Sequence, residues 1–120
     1  MDIVQMGVVE ARFADIIWQN EPVSSSQLIK LSEQKLGWKK STTFTVLKRL
    51  CDKGIFVNNN GVVTSLISKE AYDEVQSRRF VEEAFNGSLP GFLAAFTSKR
   101  CLNDEEIECL KKLIREHKEE

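Results

Sequence analysis

Apolar residues recur along this chain first in a helical rhythm, then briefly in a strand-like one, then in a helical one again. From Val8 on, Val9, Phe13, Ile16 and Ile17 predict an amphipathic helix that ends near Trp18 and Asn20, where Glu21-Pro22 stops it. Met1 to Gly7 shows no pattern and reads as a loose terminus. Ser24 and Gln27 have capping-box spacing, with Val23 and Leu28 as a flanking staple. Leu28, Leu31 and Leu36 carry that helix to Gly37, which suits a left-handed close. After a short connection, Thr43, Val46, Leu47, Leu50 and Cys51 share one face of a third helix that Gly54 ends. Ile55-Phe56-Val57 then reads as a strand and Asn58-Asn59-Asn60-Gly61 as a turn, with Asn60-Gly61 the preferred pair for a type I′ hairpin, and Val62 to Ile67 returns as a second strand. Three helices followed by a hairpin predict a winged helix-turn-helix over residues 1–67.

The remaining 68–120 reads as three helices. Ser68 caps the first, which runs through Tyr72, Val75, Arg79, Phe80 and Phe85 to Asn86-Gly87. Leu89 to Phe96 forms a shorter one, with Pro90 in its first turn. The last opens at Asn103 with Glu106 completing a capping box, carries Ile107, Leu110, Leu113 and Ile114 on one face, and ends in a charged tail. Three helices are too few to enclose the stripe formed by Tyr72, Val75, Phe80, Phe85, Leu89, Phe92, Leu93, Phe96, Ile107, Leu110 and Ile114. A second copy of the chain is the simplest cover, so these residues are expected to form a homodimer interface. The expected fold class is mainly α with a small β-hairpin: an N-terminal winged helix-turn-helix followed by a C-terminal helical dimerisation region.

Charge adds a direction to this picture. The chain of 120 residues has a formal net charge of -1, but residues 1–66 hold eight Lys and Arg against six Asp and Glu, while 67–120 hold nine against twelve. The stretch 39–53 sets Lys39, Lys40, Lys48, Arg49 and Lys53 against Asp52 alone, a balance of +4. Its outward side chains, Lys39, Lys40, Ser41, Thr42, Thr45, Lys48 and Arg49, suit the major groove of double-stranded DNA: cations for phosphate, hydroxyls and methyls for base edges. Phe44, beside Lys48, is expected to be half-exposed and to pack on Trp38 or Phe56, or else to touch DNA.

Other chemistry is sparse. Cys51 falls on a buried face, and Cys101 and Cys109 fit neither a disulfide framework nor a metal spacing, so no metal or cofactor is expected. His117 is the only histidine and has no partner for catalysis, and no glycine-rich phosphate loop occurs, so an enzyme is not expected. No leader pattern and no apolar run long enough for a bilayer are present, so the expectation is a cytoplasmic protein with no membrane partner.

With these elements in place, the chain resembles the penicillinase and methicillin-resistance repressors, grouped with the copper-responsive CopY repressors. The resemblance lies in Ile16-Ile17-Trp18, Gly37-Trp38, Ser41-Thr42-x-x-Thr45-x-Leu47-x-Arg49-Leu50-x-x-Lys53-Gly54, Glu74-Val75-x-Ser77-x-x-Phe80, Phe85-Asn86-Gly87-x-Leu89 and Leu102-x-x-Glu105-Glu106-Ile107-x-x-Leu110. It implies a dimeric winged-helix repressor that leaves a palindromic operator on a signal. In the drug-resistance members the signal is a regulatory protease cutting an Asn-Phe bond in the dimerisation region. Here that position reads Ala95-Phe96. The copper branch carries paired CxC motifs, where this chain has only Cys101 and Cys109. Family wings carry Arg or Lys near the turn, where this chain has Asn58, Asn59, Asn60 and Val62. Two other readings stay open: a redox- or metal-responsive regulator switching through Cys101 and Cys109, and a winged-helix protein-interaction module without DNA binding.

Overall fold

A computed structural model describes residues 5–117 of the chain. Nine elements follow in order: α1 (Val8–Asn20), β1 (Val23–Ser24), α2 (Ser25–Leu36), α3 (Lys40–Asp52), β2 (Phe56–Asn59), β3 (Val62–Ser65), α4 (Lys69–Phe85), α5 (Leu89–Thr97) and α6 (Asp104–Glu116). The chain divides into two compact units, the first reaching Ser77 and the second starting at Arg78, so the division falls inside α4 rather than at 67/68.

The first unit holds the buried core. Phe13, Ile17, Leu28, Leu50, Ile55, Phe56 and Val63 are almost fully enclosed. α1 meets this core through Phe13, Ile16 and Ile17 as their spacing suggests, but not through Val9. Val8 and Val9 are exposed, while Glu10, Phe13, Ala14, Ile16 and Ile17 face inward. Ser24 Oγ accepts from the Gln27 backbone N–H at 3.1 Å, and Gly37 closes α2 at φ +70°. Trp38, just before α3, packs its ring 5.1 Å from Phe13.

The expected hairpin is part of a three-stranded antiparallel sheet of order β1-β3-β2. Val23 and Ser24, read as staple and cap, also pair with Val63 and Val62. Asn58 and Asn59 continue the strand instead of turning, and the reversal is confined to Asn60 and Gly61 at φ +53° and +85°. Both central positive φ values are what a two-residue type I′ turn requires, so the loop of the wing is two residues shorter than the four expected.

Met6 is not loose: it is buried, and its backbone N–H donates to Tyr72 Oη at 2.7 Å. Residues 1–4 of the expected loose terminus lie outside the described residues, as do 118–120 of the charged tail. Tyr72 is 7% exposed and its ring lies 5.9 Å from Trp18, whose Nε1 donates to the Ile67 carbonyl. It therefore belongs to the core of the first unit. This corrects its place in the expected interface stripe: helical spacing aligns Tyr72 with Phe80, but α1 already covers it.

The second unit has no such core. No residue of α5 or α6 is fully buried. Phe80, Phe85, Phe92 and Phe96 contact one another with ring centroids 5.5–6.0 Å apart. Both caps expected in residues 68–120 form: Ser68 Oγ accepts from Ala71 N–H, and Asn103 and Glu106 make a reciprocal capping box. Ser88, not singled out from the sequence, also caps α5, its Oγ accepting from Gly91 N–H.

Candidate nucleic-acid interface

α3 sends Thr43, Val46, Leu47 and Leu50 into the core, and the helix period then turns the remaining positions outward. All seven side chains singled out in the sequence, Lys39, Lys40, Ser41, Thr42, Thr45, Lys48 and Arg49, are exposed on this helix or its N-cap. Lys39 offers no side-chain cap, so the first N–H groups of α3 are open to an outside acceptor at the positive end of the helix dipole.

The charges are less free than the count suggests. Lys48 Nζ pairs with Asp52 at 3.0 Å, an exposed i,i+4 pair worth little in water. Lys53 Nζ lies 2.8 Å from Glu10 Oε1, and Arg49 Nη1 lies 3.5 Å from Glu10 Oε2. Glu10 also accepts from the Gly7 backbone N–H at 3.0 Å. Burial works to raise the Glu10 pKa, but hydrogen bonds from Lys53, Gly7 and Arg49 and the charge of Lys53 outweigh it and hold the carboxyl below its ordinary value. Five cations against Asp52 and Glu10 leave +3 on this surface. Among the described residues, Lys39 and Lys40 take no ion pair. Glu10 went unrecognised in the sequence because 39 and 43 residues separate it from its partners. The available signal was a carboxylate on the inward frame of an otherwise apolar helix.

The hydroxyls also differ. Thr45 Oγ1 donates to the Ser41 carbonyl at 2.9 Å, and Thr43 Oγ1 to the Lys39 carbonyl at 3.3 Å. Phe44 is 38% exposed. It lines a recess with Leu47, Cys51, Phe56 and Leu66, with Lys40 Nζ 6.0 Å from its ring centre, while Trp38 is taken by Phe13. Cys51 is half-buried, and burial together with Asp52 pushes its thiol pKa up, away from the reactive thiolate. The wing tip is tied down, with Gly61 O accepting from Ser25 N–H at 2.8 Å. Asn58 is exposed, and its Oδ1 accepts from Gly61 N–H at 2.9 Å.

In the second unit, α5 and α6 border an open apolar recess of about 490 Å³ lined by Phe92, Leu93, Phe96, Leu102, Cys109 and Leu110, with Glu105 and Glu106 beside them. Phe80, Leu89, Phe96, Leu113 and Ile114 are 46–72% exposed. Phe85, Ile107 and Leu110 are half-buried in the second unit, as is Val75 in the first. Ala95 and Phe96 sit in the last turn of α5. Cys101 and Cys109 are exposed, and among the described residues no three His, Cys, Asp or Glu side chains are grouped as a metal site. No helix among the described residues is long and apolar enough to cross a membrane.

Comparison with known proteins bears on both units. The profile of the penicillinase repressor family matches residues 6–116. The penicillinase repressor of Bacillus licheniformis is 29% identical over 120 residues, covering 97% of this chain and 94% of that protein. The methicillin resistance regulatory protein MecI of Staphylococcus aureus is 24% identical over 114 residues, covering 92% and 93%. Among solved structures, the solution structure of the Bacillus licheniformis BlaI monomeric form in complex with the blaP half-operator matches with a TM-score of 0.51 and 25% identity, covering 59% of this chain and 92% of that one.

Proposed function

The chain belongs to the penicillinase repressor family, and from that premise we propose that it is a transcriptional repressor that binds a palindromic operator as a homodimer. The observation that carries this reading is the open face of α3, with its uncapped N-terminus and unpaired Lys39 and Lys40. The BlaI structure in complex with a half-operator supports it. In this reading the first turn of α3 enters the major groove. Lys39, Lys40 and the open N–H groups meet phosphate, and Ser41, Thr42 and Thr45 run along the base edges. Lys48 and Arg49 reach the backbone or a guanine edge one turn further on. The wing contributes amide hydrogen bonds rather than charge.

One such head carries few cations and binds weakly, so the second copy is part of the mechanism. The apolar surface around α5 and α6 is the proposed dimer interface. It is built from Val75, Phe80, Phe85, Leu89, Phe92, Leu93, Phe96, Ile107, Leu110 and Ile114 within a proposed region 68–120, without Tyr72. Release then acts on the dimer. A regulatory protease cutting at Ala95-Phe96 would have to open the last turn of α5 within the proposed interface itself. Work on DNA implies a cytoplasmic location. Selection from a random duplex pool with the full chain, followed by mobility shift and light scattering, tests the proposal. A palindrome bound by a particle of twice the chain mass is expected. No enriched site, or a monomer on the selected site, overturns it.

A further inference from the structure

We infer that Thr45 reads DNA through its methyl group, so that each half-site carries a thymine whose 5-methyl packs against Thr45 Cγ2. The inference rests on the proposal that α3 enters the major groove. A helical threonine divides between two χ1 rotamers, one of which returns its hydroxyl to the carbonyl four residues back. Thr45 adopts that rotamer, and its Oγ1 donates to Ser41 O at 2.9 Å. Its single hydroxyl proton is thus spent on the helix and cannot also be given to a phosphate or a base acceptor. Thr45 is exposed in the middle of the α3 surface that carries Ser41 and Lys48 one turn away on either side. With its hydroxyl proton given to Ser41 O, this exposed side chain has left its methyl and the acceptor lone pairs of Oγ1 to offer a base edge, and of these only the methyl suits an apolar mark. In the major groove the one apolar mark is the thymine 5-methyl, which no other base pair presents at that edge. Swinging the hydroxyl outward instead would break the Ser41 bond and offer no more than a replacement for it.

The test uses the full chain and the duplex obtained by selection, with thymines replaced one at a time by deoxyuridine. Removing one buried methyl contact costs about fourfold in affinity per half-site. The wild type should therefore lose about fourfold at one thymine position in each half-site. Thr45→Ser, which keeps the hydroxyl and loses the methyl, should bind the thymine site about fourfold more weakly per half-site and show no further loss with uracil. Thr45→Val, which keeps the methyl and has no hydroxyl, should stay within about twofold of the wild type and keep the uracil penalty. Far-UV circular dichroism verifies that each variant folds. If Thr45→Val abolishes binding while Thr45→Ser retains it, the hydroxyl is the reader and the inference is wrong. Silence of every uracil substitution in the wild type overturns it equally. Failure to select any duplex defeats the DNA-binding reading itself, and is distinguishable from both.

Discussion

Replacing Glu10 by Gln should destabilise the first unit while leaving its shape intact. The isosteric amide keeps a carbonyl for the Gly7 N–H but surrenders the charge that holds Lys53 at 2.8 Å and Arg49 at 3.5 Å. A hydrogen bond to a charged group contributes about 1.5–3 kcal/mol. Orphaning one member of a fully buried pair costs about 3–5 kcal/mol. Water can take up part of the loss here, because the side chains of Lys53 and Arg49 are 20% and 53% exposed. The expected cost is about 2 kcal/mol, or about 10 °C in Tm for a unit of this size. The pH dependence has a definite sign. The Glu10 pKa is lower folded than unfolded, so the stabilisation is complete at neutral pH. It declines once the pH drops below the unfolded value of about 4.3, and is gone below the folded pKa. Urea unfolding of the full chain, followed by far-UV circular dichroism stepwise from about pH 7 to about pH 3, reads both effects. The gap between wild type and Glu10→Gln should narrow as the pH falls. Equal midpoints at neutral pH, or a gap that stays constant into acid, would refute the reasoning. The same substitution frees Arg49, so it should also steepen the salt dependence of DNA binding by about one unit of slope per head.

Two further substitutions probe other parts of the account. Ser32 Oγ is fully buried with no hydrogen-bond partner, so Ser32→Ala should be neutral or stabilise by up to about 1 kcal/mol in urea unfolding; a clear destabilisation would mean that the hydroxyl is satisfied after all. Phe92 touches Phe80, Phe85 and Phe96, so Phe92→Asp should give monomers by light scattering and lower operator affinity about a hundredfold through lost bivalency; a dimer of unchanged affinity would move the interface elsewhere.

Much of the fold is legible in the sequence because its signals are local. Gly37, Ser68, Asn103 and the pair Asn60-Gly61 act through neighbours within four residues, and each forms the cap or turn its chemistry specifies. What escapes notice depends on residues far apart. β1 is two residues long and exists only because β3 lies beside it, so Val23 and Ser24 show no strand period of their own. In the first turn of α1 it is Glu10 that faces inward, meeting Arg49 and Lys53 across the unit, while the apolar Val9 beside it is exposed. Tyr72 matches the period of the stripe continuing to Phe80 and Phe85, and only packing against Trp18 and Met6 separates it from them. The α3 surface was readable as a set of exposed residues. The sequence could not tell which cations are paired, or that the Thr45 hydroxyl is turned back on its own helix.

The central claim is that two α3 heads, held together by the second unit, bind DNA largely through the first turn of that helix. Fluorescence anisotropy of the full chain on the selected palindrome and on its isolated half-site, across a salt series, tests it most directly. The palindrome should bind at least about a hundredfold more tightly than the half-site. Lys40→Ala should reduce the slope of log K against log salt by about two, one phosphate contact from each head. Equal affinity for palindrome and half-site, or a slope untouched by Lys40→Ala, would contradict it.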